Sequence, residues 1–175
     1  MTLTGRIWFF GDDDINTDMI FPGKYCYNIL TDEDMAQFAM EDYDTSFTKK
    51  VQVGDIILAG RNFGSGSSRE QAVKCLKAAG IAAIVGKSFS RIFYRNAINE
   101  ALPAIECPEA VEFVRQKISI TDSRLSEFFA TIDLNTGIIV VIGEKFSFPP
   151  LNPQAMKIFE VGGLIEYTKH LLHEG

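Results

Sequence analysis

The sequence predicts an α/β fold in which a parallel βαβ core carries an additional antiparallel β part. Three observations lead there. Asp55-Ile56-Ile57-Leu58-Ala59, bounded by Gly54 and Gly60, and Ile81-Ala82-Ala83-Ile84-Val85-Gly86 both have the composition of buried strands. Between them, Ala72, Val73, Leu76 and Ala79 repeat at helical spacing and Gly80 stands where a helix should stop, so residues 55–86 form one βαβ unit. Further on, the runs 130–134 and 138–142 flank Asn135-Thr136-Gly137, a hairpin-type turn. The length of 175 residues is that of one domain, enough to bury a core without disulfide or metal staples, so residues 1–175 are expected to form a single unit.

Taken in order, Arg6-Ile7-Trp8-Phe9-Phe10 is a first strand, ended by Gly11 and the turn Asp12-Asp13-Asp14. Positions 12, 14, 16 and 18 have the spacing of a calcium loop, but Thr17 stands where that loop needs glycine and Gly23 where it needs a bidentate glutamate. The expectation is a turn whose Asp and Asn side chains accept from nearby backbone N–H groups. Pro22-Gly23 opens a loop running to Leu30. Thr31-Asp32-Glu33-Asp34 then starts a helix that Met35, Phe38 and Ala39 continue on one face. Residues 41–53 are polar, acidic and aperiodic, and read as a surface connection.

After the βαβ unit, Arg91 and Arg95 stand at i and i+4 on a helix, the spacing of a solvated face. A short strand over 101–106, a helix over 108–117 and an alternating run at Ser119-Ile120-Thr121-Asp122 lead into the hairpin. Pro149-Pro150 marks a connection. An amphipathic segment from Pro153 to His170, broken at Gly162-Gly163, closes the chain, and His170 and His173 are expected in a frayed tail without a catalytic role.

The stretch with chemical content is Gly60-Arg61-Asn62-Phe63-Gly64-Ser65-Gly66-Ser67-Ser68-Arg69-Glu70-Gln71-Ala72, a glycine loop between strand and helix. Gly64 and Gly66 let backbone approach a ligand closely, and the free N–H groups of a helix N-terminus favour an anion. Ser67 and Ser68 add hydroxyls, and Arg69 adds a planar fork suited to carboxylate or phosphate. Such a loop binds a small acid. It is not a Walker loop, because Gly66 is followed by Ser67-Ser68 rather than Lys and Ser or Thr, and it lacks the third glycine of a dinucleotide fingerprint.

With 17 Lys plus Arg against 23 Asp plus Glu, the net charge of −6 disfavours nucleic acid or an anionic membrane as partner. No run approaches the roughly 18 apolar residues of a membrane span, and the N-terminal residues lack the apolar core of a secretory signal, so a cytoplasmic location is expected. Cys26, Cys75 and Cys107 are widely spaced and form no C-x-x-C pattern, which is the distribution of buried thiols rather than of a zinc site or disulfide framework. No metal is expected on this chain.

Gly60-x-Asn62-Phe63-Gly64-x-Gly66-Ser67-Ser68-Arg69-Glu70-x-Ala72 resembles the signature of the swivelling β/β/α domain of the aconitase superfamily. Gly11-Asp12-Asp13-Asp14-Ile15-Asn16-Thr17-Asp18, residues 87–96 and Glu160-Val161-Gly162-Gly163-Leu164 extend the resemblance over nearly the whole chain. At this length the chain is similar to the free-standing small subunits of alkylmalate hydro-lyases, the isopropylmalate dehydratases first and the homoaconitases next. The resemblance implies dehydration and rehydration of a small di- or tricarboxylic acid, with Ser67 as base and Ser68, Arg69, Gly64 and Gly66 binding substrate. It also implies a [4Fe–4S] cluster on a separate large subunit, since nothing in this chain supplies a cluster motif.

In this family the loop before the first long helix contacts the substrate's variable group, which by position falls on Cys26, Tyr27 and Asn28. These offer an uncharged surface suited to an alkyl group, with Lys24 as a flexible cation nearby. The family often has Cys at the position of Ser65 and His at that of Gln71, and the second exchange puts a proton relay there in doubt. A reading of another class, a non-catalytic carboxylate- or phosphate-binding module, needs the glycine loop alone.

Overall fold

The structure, a computed structural model, describes residues 1–118 and 124–173, so the alternating run at 119–122 lies outside the described residues. In chain order the elements are β1 (Thr2–Phe10), α1 (Thr17–Ile20), α2 (Asp32–Ala36), α3 (Phe47–Lys50), β2 (Ile56–Ala59), α4 (Glu70–Ala78), β3 (Ala83–Gly86) and α5 (Arg91–Asn99). They continue with β4 (Ala104–Glu106), α6 (Pro108–Lys117), β5 (Leu125–Asp133), β6 (Ile138–Val141), β7 (Glu144–Ser147), α7 (Pro153–Val161) and α8 (Leu164–His173).

The seven strands form one curled sheet in the order β4-β3-β2-β1-β5-β6-β7. The parallel and antiparallel parts that the sequence suggests as separate are therefore continuous. β1 joins them, pairing parallel with β2 through Ile7↔Ile56 to Phe10↔Ala59 and antiparallel with β5 from Thr2↔Asp133 to Trp8↔Leu125. Its last four residues are buried on both faces, which is why it reads as an unbroken apolar run with no alternation. Trp8 and Phe10 face a core built with α1, α2, α4 and α5, whereas Ile7 and Phe9 face one built with α6, α7 and the inner sides of β5 and β6.

Two other expectations need correction. Residues 41–53 are not merely a surface connection, because α3 places Phe47 in the first core with its ring 4.8 Å from that of Trp8, edge to face. Strand 138–142 is one residue shorter and turns into β7. Ile142 and Gly143, at φ +51° and +80°, form a two-residue hairpin loop with the left-handed geometry of a type I′ turn. An isoleucine in that conformation is unusual, and it masks the turn in the sequence. The C-terminal break falls at Gly162-Gly163, and α8 runs on through His170 and His173, both exposed.

At the end of the sheet opposite the glycine loop, the buried carboxylate of Asp55 accepts from Arg6 Nε at 2.9 Å, Arg6 Nη2 at 2.7 Å, Trp8 Nε1 at 2.9 Å and the backbone N–H of Gln52 at 2.9 Å. It fastens β1 to β2 at their shared entry. Asp55→Ala removes the acceptor for all four donors and should cost about 3–5 kcal/mol in urea unfolding, with Asp55→Asn costing less. An alanine variant within about 0.5 kcal/mol of the parent would show that the network is dispensable.

Candidate active site

Parallel strands β1, β2 and β3 end at one edge, where the loops 11–18, 60–69 and 87–90 meet, the usual place for a ligand crevice in such sheets. Hydrogen bonds lace the first two loops together. Asp14 N donates to Arg61 O at 2.9 Å, Gly64 N to Ile15 O at 2.8 Å and Thr17 N to Ser65 O at 2.8 Å. Side chains add to this: Asp13 Oδ1 accepts from Arg61 N at 2.7 Å, and Asp14 Oδ1 accepts from Asn62 Nδ2 at 2.7 Å. Asn16 makes the one local bond of the expected kind, capping α1 through Met19 N at 3.0 Å. The third loop holds the other side, with Asn62 N donating to Ser88 Oγ at 2.9 Å and Ser90 Oγ to Gly64 O at 2.7 Å.

Gly64 and Gly66 have different physical duties. At Gly64, φ is +76° and a Cβ would lie 2.2 Å from Cγ of the Phe93 ring, so the close approach is inward, onto the aromatic cluster of Phe63, Phe89 and Phe93. At Gly66, φ is +90° and a Cβ would meet Asn16 Cβ and Thr17 Oγ1 only at an ordinary 3.6 Å, so the left-handed backbone alone calls for glycine.

Ser67 and Ser68 follow, both exposed, and neither caps α4, whose N-cap is Arg69. Their hydroxyls hydrogen-bond to none of the described residues, while the backbone beneath is held by Thr17 Oγ1, which donates to Ser67 O at 2.9 Å.

Arg69 does not lie loose in solvent. Its Nη1 donates to Asp18 Oδ1 at 2.5 Å and to Phe21 O at 3.3 Å, and the side chain is 19% exposed. Gly23 lies against this pair, where a Cβ would stand 2.9 Å from Asp18 Oδ1. Both bonds use Nη1, so Nε and Nη2 keep donors for another anion. The two serines, the fork and the start of α4 thus follow one another along residues 67–70, with the Asp18 carboxylate beside the fork and Glu70 in the first turn of the helix. One turn into α4, Lys74 lies 2.5 Å from Glu70 and 3.9 Å from Glu100. The Lys74 hydrogen bond holds Glu70 below the usual carboxylate range, and burial followed by the neighbouring Glu70 pushes Glu100 up.

Cys26, Tyr27 and Asn28 follow a 3-10 turn at Gly23–Tyr25. Cys26 is half-buried, Tyr27 is 95% exposed, and Asn28 lines a cavity of about 260 Å³ with Phe21, Tyr25, Leu30, Met35 and the paired charges Glu70 and Lys74. Lys24 pairs with Glu41 at 2.7 Å, and its ammonium lies 4.9 Å from the centre of the Tyr25 ring, which lines that cavity.

The sequence did not point to Asp18 as Arg69's partner, nor to a clamp at the far end of the same turn. There Tyr43 donates to Asp12 Oδ2 at 2.5 Å, and Arg124 donates to the same oxygen at 3.1 Å while its guanidinium lies 4.1 Å from the centre of the Tyr43 ring. The Tyr43 bond, ahead of the Arg124 charge, lowers the Asp12 carboxyl, and burial followed by the Asp12 bond raises the Tyr43 phenol. These partners are 31, 51 and 112 residues apart in sequence, beyond the reach of any local pattern.

The three cysteines do not fit an iron–sulfur cluster. Cys75 is fully buried beside Ile20 O and Ala72 O with its thiol pushed well above the usual range by burial, Cys107 belongs to the opposite core, and Cys26 lies in the loop. No three His, Cys, Asp or Glu side chains among the described residues converge as metal ligands. No helix among them is long and apolar enough to cross a membrane.

The Aconitase C-terminal domain family matches residues 15–110. The 3-isopropylmalate dehydratase small subunit of Heliobacterium modesticaldum is 42% identical over 100% of this chain and 99% of its own, and that of Nautilia profundicola is 45% identical over 98% and 97%. A crystal structure of 3-isopropylmalate dehydratase from Methanocaldococcus jannaschii superposes with a TM-score of 0.83 at 38% identity, covering 99% of this chain and 98% of the other.

Two outcomes follow from the geometry. Gly64→Ala meets both the Phe93 ring and an unfavourable φ, and should destabilise by about 2–4 kcal/mol, against about 1 kcal/mol for Gly66→Ala, where only the backbone objects. Equal losses in thermal melts would contradict the packing role of Gly64. For the clamp, a lowered folded-state pKa means that the Asp12–Tyr43 bond stabilises the fold above the unfolded carboxylate value of about 3.9 and is lost as pH falls below it. The stability gap between parent and Tyr43→Phe should accordingly close on acidification through that range, and a constant gap would speak against it.

Proposed function

We infer what this chain does from one premise: it belongs to the aconitase C-terminal domain family, among the small subunits of 3-isopropylmalate dehydratase. It is the small subunit of a hydro-lyase that works with a large subunit and interconverts 2-isopropylmalate and 3-isopropylmalate in leucine biosynthesis by loss and re-addition of water. The residue roles are our proposal. Residues 1–175 act as one swivelling domain in the cytoplasm, with the substrate, a small dicarboxylic acid, held between this chain and the large subunit. The [4Fe–4S] cluster that supplies Lewis-acid chemistry belongs to that large subunit, because the cysteines here do not fit it.

The observation that carries the reading is the arrangement at residues 67–69. A proton next to a carboxylate is weakly acidic, and serine is a weak base, so Ser67 can take it only where its alkoxide is stabilised. Ser67 precedes the N-terminus of α4, its backbone is fixed by Thr17, and the Arg69 guanidinium lies two residues on, oriented by Asp18. Ser68 and the unused edge of Arg69 bind a substrate carboxylate, which also brings the proton to Ser67. Gly66 leaves the approach clear, and Gly64 seats the loop on Phe93. Cys26, Tyr27 and Asn28 meet the alkyl group. Cys26, Tyr27 and Asn28 are uncharged, and the nearby cations Lys24 and Lys74 are each paired, with Glu41 and Glu70, which favours isopropylmalate over the extra carboxylate of a homoaconitase substrate.

The test mixes this chain anaerobically with the cluster-bearing large subunit and follows absorbance of the unsaturated acid from 3-isopropylmalate or homocitrate. Isopropylmalate alone should turn over. Ser67→Ala should lower kcat by about a thousandfold or more with KM and co-elution unchanged, and Arg69→Lys should raise KM roughly 10- to 100-fold. Parent-like turnover by the Ser67→Ala enzyme would remove serine from the base role, and turnover of homocitrate would overturn the assignment of the 26–28 loop.

A further inference from the structure

A second cavity, of about 350 Å³, lies between the start of α5, the end of β4 and the segment after β7. None of its lining belongs to the 60–72 loop or to the 26–28 loop. Its walls are Phe89, Tyr94, Phe148 and Leu151, and two groups of opposite charge, Arg91 and Glu106, stand at its rim. Its size is that of pockets that enclose small molecules, and apolar walls with a few polar groups are their usual lining.

The charges on the rim are not placed for stability. Arg91 is the first residue of α5, where the helix dipole disfavours a cation, and the first turn of α5 holds no acidic residue. Arg95, one turn on and also exposed, adds like-charge repulsion. Arg91 makes no ion pair or side-chain hydrogen bond with a described residue, and neither does Glu106. Glu106 is nevertheless close enough to the Tyr94 phenol to raise it, an effect second to that of burial, so its charge is felt inside the cavity. A cation at a helix N-terminus and an unpaired carboxylate, across an aromatic floor, are complementary to a molecule with an anionic group, a cationic group and an apolar body.

We propose that this cavity is a binding site for an α-amino acid with an apolar side chain, its carboxylate on Arg91, its ammonium on Glu106, and its side chain against Phe89, Tyr94 and Phe148. The site is independent of the chemistry at Ser67. It touches that region through Phe89, whose ring lies 6.3 Å from those of Phe63 and Phe93 beneath Gly64, and through Ser90, the N-cap of α5, whose Oγ donates to Gly64 O. Occupancy is therefore readable at the foot of the glycine loop without turnover.

The test titrates the full chain, by calorimetry and by backbone amide NMR, with L-phenylalanine, 3-phenylpropionate (no ammonium) and phenethylamine (no carboxylate). L-Phenylalanine should saturate with a Kd of about 0.1–10 mM, shift the amides of residues 89–94 and 104–106, and bind roughly tenfold tighter than either single-charge analogue. Glu106→Gln should reduce phenylalanine to the affinity of 3-phenylpropionate while leaving 3-phenylpropionate unchanged. Arg91→Gln should do the same with respect to phenethylamine. Both side chains are exposed, so unchanged melting curves will separate lost binding from lost fold. No saturable shift up to roughly 50 mM, equal binding of the three probes, or indifference to both substitutions would each overturn the proposal.

Discussion

The site depends on a pairing of two loops that are far apart in sequence. The turn after β1 and the loop after β2 run side by side beyond the ends of their strands, joined by backbone bonds at Asp14, Gly64 and Thr17, so that the parallel sheet is in effect prolonged past its last residues. A glycine loop is by nature the softest part of a strand-to-helix connection, since glycine has the most backbone freedom to lose. Here that freedom is removed from both sides. The acidic turn fixes one edge, and the loop after β3 fixes the other through Ser88 and Ser90. What remains unbonded is the outward part, Ser67 and Ser68.

The same turn sets the electrostatics. Asp18 lies one residue beyond the Thr17 that holds Ser67, and it draws the Arg69 guanidinium into a fixed place against Phe21 O and Gly23. Asp18 is more exposed than Arg69, so the pair adds little to stability, as partly exposed pairs do. Its value lies in orientation, because a long arginine loses much rotamer freedom when it binds and an arginine already held loses less. At the other end of the turn, the Asp12, Tyr43 and Arg124 group ties the first residues to the segment before α3 and to the start of β5. Asp12 and Asp18 thus restrain the turn at both ends.

Much of this architecture was legible because local chemistry and tertiary context agree. The βαβ unit, the Thr31 cap, the α5 and α6 helices and the break at Gly162 all follow from periodicity and punctuation. The loop at 60–72 was recognisable because glycine, serine and arginine at that spacing have few structural reasons to occur together. What was hidden is hidden for physical reasons. The role of β1 as the seam of one sheet is a matter of pairing partners, which composition does not record. Phe47 enters the core from a one-turn helix too short to establish a period, and β7 is announced by an isoleucine in a conformation that isoleucine rarely takes. The acidic turn looked like a set of local caps, but only Asn16 behaves so, while Asp12, Asp13, Asp14 and Asp18 spend their oxygens on partners tens of residues away.

The alkoxide proposed at Ser67 needs more than this chain provides. Ser67 and Ser68 are exposed, and an oxyanion in contact with water gains little from a helix terminus or a guanidinium, because high dielectric weakens both. The fork of Arg69 and the polarised start of α4 become strong only once water is removed from them, and none of the described residues closes over Ser67 and Ser68. Ile29, fully exposed, lines the cavity shared with Glu70 and Gln71 at the start of α4, and Tyr27, two residues before it, is also almost fully exposed. The base proposed at Ser67, on an open surface and preorganised yet unshielded, has the form expected of half a site, and a large subunit that closed over it would strengthen the electrostatics in the same motion that enclosed the proposed substrate.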